Sequence, residues 1–149
     1  MLRMGKLCLV VAILSLVAVG CGRDAADLHG SWKVDMDKAM ADMKSSDDYK
    51  KAKDEEKKFM EELKQGIFEK MEMTFAENKV TVSGGEGDKK DESDFKITSQ
   101  DGDKWAVEVT TKKGDKTKTD KGNLEWVDDD HITMSIEGQK EKFHLVRKK

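Results

Sequence analysis

The sequence predicts a mainly β domain of about eight antiparallel strands, forming a barrel or a strongly bent sheet, with a helical insertion at about residues 36–70. Three observations carry this. Apolar residues recur at every second position from residue 71 onward, and short polar turns punctuate them; the period is instead helical between residues 36 and 70; and one further alternating segment precedes the helices. Strands with one apolar face hide it, and remove their edges, by closing on themselves.

The elements follow in order. Trp32 and Val34 share one face of the first strand, with Ser31 and Lys33 between them. Met36, Met40 and Met43 then fall at i, i+4 and i+7, one stripe of an amphipathic helix. Ser45, Ser46 and Asp47 interrupt that stripe and offer N-caps for a second helix, whose apolar side is Tyr49, Ala52, Phe59, Met60, Leu63, Ile67 and Phe68. Gly66 weakens this helix near its end. Met71, Met73 and Phe75 pair with Val80 and Val82 through a hairpin at residues 76–78. A polar loop over 84–92 leads to Phe95 and Ile97, and a turn at 100–103 leads to Trp105, Val107 and Val109. A Lys-rich turn around Gly114 precedes a strand over 117–126. Asp128 to Asp130 turn into Ile132, Met134 and Ile136, and Glu137-Gly138-Gln139 turn into Phe143 and Leu145.

Upstream of the domain, Arg3 and Lys6 precede an apolar run over 7–20 broken only by Ser15. Those 14 residues fall short of the ~20 that a spanning helix needs, and small residues close the run, as a cleavable export signal requires. The end, Ala18-Val19-Gly20-Cys21, resembles the lipobox of bacterial lipoproteins. The resemblance implies diacylglycerol on the Cys21 thiol, with Cys21 as the new N-terminus. In a Gram-negative envelope, Gly22 stands where an Asp is associated with inner-membrane retention. That implies outer-membrane attachment facing the periplasm. Residues 1–20 are thus read as the signal, 21–29 as the acylated cysteine and a short tether of roughly 25 Å at full extension, and 30–149 as one domain.

Removal of the signal leaves 129 of 149 residues, enough for a single core. It takes two of the 28 basic residues and leaves 26 against 31 acidic ones, a balance that argues against a nucleic-acid partner. Cys8 departs with the signal and Cys21 is acylated, so no disulfide supports the domain and burial must.

The search for chemistry yields no catalytic residue, no metal site and no cofactor site. His29, His131 and His144 lack metal-ligand spacing, and Asp128 to Asp130 lack the Gly and distal Glu of a calcium loop. The glycines at 84–87 fit neither phosphate-binding fingerprint. The methionine stripe is read as apolar packing rather than a thioether copper site, because no His or Cys accompanies it in the helix. An enzyme has no support in a nucleophile–base pair.

Gly30-Ser31-Trp32 in the first strand, the succession of hairpins, and Arg147 in the last strand resemble the lipocalin-like families. The resemblance implies that Trp32 and Arg147 meet as a pair across one barrel end. It also implies a small apolar or amphipathic ligand, with Phe95, Trp105, Trp126 and Met134 as candidate lining residues. The alternative function is a structural or protein-interaction module that meets another envelope protein through its charged helices. A cavity of ~300 Å³ or more with a few converging polar groups favours the first reading; a filled interior with an exposed apolar helix stripe favours the second. A basic tip at Arg147, Lys148 and Lys149, near the tether, offers contact with anionic headgroups.

Overall fold

The structure is a computed structural model that describes residues 22–84 and 89–149. The export signal, Cys21 and the centre of the glycine-rich loop lie outside the described residues.

Eight strands close into one antiparallel barrel in simple up-and-down order: β1 (Gly30–Val34), β2 (Glu72–Ala76), β3 (Lys79–Ser83), β4 (Asp91–Asp101), β5 (Lys104–Lys113), β6 (Lys116–Trp126), β7 (His131–Ile136) and β8 (Lys142–Arg147). The ring is completed by β1 against β8, where Trp32 stands opposite Arg147, Lys33 opposite Val146 and Val34 opposite Leu145. Closure removes both edges, in a chain that has no proline with which to blunt them. The architecture is that of a lipocalin-like barrel with a helical insertion.

Period-two alternation fills the barrel. Trp32, Phe75, Phe95, Trp105, Leu124 and Ile132 all point inward and are buried. One register shift, between Ile97 and Ser99 on β4, lets the long β4–β5 ribbon bend round the core.

The helical insertion has three helices rather than the two expected: α1 (Met36–Ser45), α2 (Asp47–Lys51) and α3 (Asp54–Phe68). Asp35 caps α1 by accepting the Lys38 amide at 3.2 Å, and Ser46 caps α2 by accepting that of Tyr49 at 3.3 Å. The expected second helix breaks at Ala52 and Lys53, both extended. Beyond the break, Asp54, Glu55 and Glu56 open a new first turn, and Glu56 reaches back to the Lys53 amide at 2.8 Å. The break folds α3 back on its predecessors, where Glu61 accepts the Tyr49 hydroxyl and pairs with Lys44 at 3.3 Å.

Folding back buries only part of the expected apolar side. Phe68 packs edge-on against Phe143, at 6.3 Å between ring centroids, whereas Phe59, Leu63 and Ile67 remain 65%, 52% and 49% exposed. Gly66 has open space where a Cβ would stand. Gly66→Ala is therefore expected to raise stability by about 0.5–1 kcal/mol, read as a higher melting temperature in a thermal scan.

Candidate ligand-binding site

The two ends of the barrel differ. One gathers the start of β1, the end of β8 and the hairpins β2–β3, β4–β5 and β6–β7; the other gathers the remaining hairpins and the helices. The first end is sealed by aromatic rings. Trp32 and Trp105 each meet Trp126 edge to face, at 5.8 and 5.5 Å between centroids. Two guanidinium groups close over the rings, Arg147 at 4.3 Å from Trp32 and Arg23 at 4.5 Å from Trp126.

Arg147 is fixed further by the carbonyls of Asp27 (2.6 Å) and His29 (3.1 Å), and the Trp32 indole donates to the Leu28 carbonyl at 3.0 Å. Gly30 turns the chain here at φ +122°, a conformation that L side chains rarely adopt; a Cβ would meet Arg147 Nη1 only at an ordinary contact of 3.6 Å, so the backbone and not the space calls for glycine. Among the described residues the buried Trp126 indole N–H has no acceptor, so the ring is held by packing and by Arg23, while the Trp126 backbone N–H donates to the Asp103 carbonyl at 2.8 Å.

The cations assigned to a basic tip are engaged within the chain. Lys148 pairs with Glu72 at 2.7 Å and Lys149 with Asp130 at 2.8 Å. Lys148, with the Ser31 hydroxyl, holds the Glu72 carboxyl below its ordinary value of 4.5. A depressed carboxyl stabilises the fold above its unfolded value and loses that contribution as pH falls through its folded value. Lys148→Ala is therefore expected to make the acid-side loss of stability below about pH 4.5 shallower, as read by urea melts across that range.

Phe95, Trp105 and Trp126, expected as lining residues, fill the barrel bottom and its middle, where Phe75 meets Phe95 at 5.1 Å between centroids. Of the four candidates, Met134 lines a cavity among the described residues.

That space is a cavity of about 310 Å³ at the other end, the mouth. Its apolar wall includes Met73, Val82, Val109, Met134 and Ile136. Its rim is polar: Ser93 and Thr111 hydroxyls meet at 2.8 Å, Asp120 pairs with Lys118 at 2.9 Å, and Asp91 and Lys113 complete it. Met36, Phe68, Met71 and Phe143 pack on the core where the helices join the barrel. Among the described residues, the helices thus cover the mouth beside β8, β1 and β2, and the cavity lies on the β3–β7 side.

These lining positions carry a sequence signal that the aromatic residues overshadow. Ser93, Thr111 and Asp120 occupy inward positions of their strands, two or more steps beyond the buried run. Polar residues in the inward phase mark where the core ends and solvent enters. Arg23 has no comparable signal, because its partners Asp103 and Asp129 are 80 and 106 positions away.

A second hollow, a cleft of about 610 Å³, lies between the helices and the β7–β8 turn, with Ala39, Met43 and Met60 among its apolar lining. Of the methionine stripe, Met43 is buried and Met36 packs on the barrel core, while Met40 is half-buried and lines a small hollow between α1 and α3. His144 bonds Asp42 at 2.7 Å and Thr133 at 3.1 Å, joining α1 to the wall, while His131 bonds Asp128 within the β6–β7 turn. Among the described residues, no three His, Cys, Asp or Glu side chains gather as a metal site, and no helix is long and apolar enough to cross a membrane.

Comparison with family models, curated proteins and solved structures finds no match to this chain.

Proposed function

We propose that this chain is a membrane-anchored periplasmic lipoprotein whose barrel mouth binds a small apolar or amphipathic ligand without chemical conversion. The mouth cavity carries the reading. Its volume of about 310 Å³ lies at the lower end of the range for small-molecule sites. Apolar walls under a rim of hydroxyl, carboxylate and ammonium groups suit a ligand with an apolar body and a polar head. The packed tryptophans set the depth, so a ring or a short chain enters and a long chain does not. Residues 1–21 support the location, through the length of the apolar run and the small residues before Cys21.

Val82 lines the wall and is partly exposed, so a larger side chain fills the cavity without displacing the buried core. Titration with the neutral fluorescent probe N-phenyl-1-naphthylamine is expected to give saturable, single-site enhancement with the natural chain. In Val82→Trp, affinity is expected to fall about ten-fold or more, a loss of at least ~1.4 kcal/mol. Equal binding by both proteins overturns the reading.

The ridge of Phe59, Leu63 and Ile67 favours a second reading, an interaction module for another envelope protein. On that reading, Leu63→Ser abolishes partner cross-linking from α3 and leaves probe binding intact.

A further inference from the structure

The segment between Cys21 and the barrel is held rather than slack. Arg23 Nε donates to Asp103 at 3.2 Å and Nη1 to Asp129 at 2.8 Å, and its guanidinium lies over Trp126. The next residues continue the contact: the Asp27 carboxylate accepts the Asp24 amide at 2.8 Å, Leu28 is buried, and Arg147 binds the carbonyls of Asp27 and His29. A tether of eight residues by sequence is thereby reduced to Gly22 alone, about 7 Å of chain between the Cα atoms of Cys21 and Arg23.

We propose that the closed end of the barrel is the surface that rests on the lipid headgroups, with Arg23 as the clamp that sets this orientation and the mouth facing away from the bilayer. The inference rests on acylation of Cys21. Arg23 grips two separate hairpins, β4–β5 through Asp103 and β6–β7 through Asp129, so the anchor is fixed to the barrel end and not to one mobile turn. Val127, 56% exposed, sits on the second of these hairpins, where an apolar side chain can enter the headgroup layer. The β5–β6 hairpin at the mouth stands a tilted strand length away, roughly 25 Å for about ten residues. Charge does not favour the contact: Lys148 and Lys149 pair with Glu72 and Asp130, and Asp101, Asp103, Asp128 and Asp129 add exposed carboxylates at the same end, so the lipid anchor must hold it there. The ligand accordingly reaches the cavity from the aqueous side and not from the leaflet that holds the anchor.

The test uses the full chain, processed in cells and reconstituted in phosphatidylethanolamine–phosphatidylglycerol vesicles that contain headgroup-spin-labelled lipid. Because acylation blocks Cys21 and Cys8 leaves with the signal, Glu77→Cys at the closed end and Asp115→Cys at the mouth each supply a single thiol for a fluorophore. Intact mass is recorded on the same samples. The expected result is a diacylglyceryl mass with quenching several-fold stronger at position 77 than at 115, and loss of most of that difference on adding Arg23→Ala. Acylated protein quenched alike at both positions, or a difference that survives Arg23→Ala, overturns the inference. An unmodified Cys21 overturns the anchor itself and the orientation with it, and the mass tells the two failures apart.

Discussion

Replacing Trp32 with alanine is expected to lower stability by about 3–5 kcal/mol, read as a fall in the urea midpoint with an unchanged slope. Trp32 is wholly buried at the closed end, and three separate interactions end with its ring: edge-to-face packing on Trp126, the indole bond to the Leu28 carbonyl, and the guanidinium of Arg147. The cavity left behind cannot collapse, because β1 is pinned on both sides, Trp32 standing opposite Met73 and Arg147. Trp32→Phe keeps an aromatic face under Arg147 and loses the indole hydrogen bond. A smaller loss of about 1–2 kcal/mol is expected for it.

Gly84→Ala is expected to cost about 2–5 kcal/mol, from backbone strain and overpacking together. Gly84 follows β3 with φ +90°, a conformation that an L side chain adopts under strain, and a Cβ there would stand 1.7 Å from the Lys70 carbonyl oxygen. That carbonyl belongs to the chain entering β2 from α3, so neither side can yield without loosening the junction of helices and barrel. The opposite sign expected for Gly66→Ala separates the two glycines: one is required by the fold and the other is not. Thermal melts of both variants against the natural chain check the pair.

The β half of the fold was legible because burial on one face imposes period two, and the buried residues keep that phase within each strand, apart from the shift between Ile97 and Ser99 on β4. The break at Ala52 and Lys53 was not. Nothing between Asp47 and Phe68 forbids a continuous helix, and the break is set by tertiary contacts, Tyr49 and Lys44 converging on Glu61. Tertiary context also overrode the apolar stripe of α3, since a helix lying against a closed barrel buries only the residues turned toward it. In the candidate site, the aromatic residues drew attention by size. They fill the sealed end, however, while the cavity is lined by smaller residues, Val82, Val109 and Ile136, whose inward phase continues past the last tryptophan. Arg23 was invisible for a different reason: its role depends on two turns that only barrel closure brings together.

A sealed tryptophan end and a polar-rimmed apolar mouth divide this barrel into a structural half and a binding half, and ligand binding at the mouth is the central claim. Native mass spectrometry of the full-length protein, released gently from its own membranes, tests it most directly. The account requires a discrete small-molecule adduct on the natural chain that Val82→Trp, prepared in the same way, does not retain. A natural chain without any adduct, or an adduct that Val82→Trp carries equally, would contradict it.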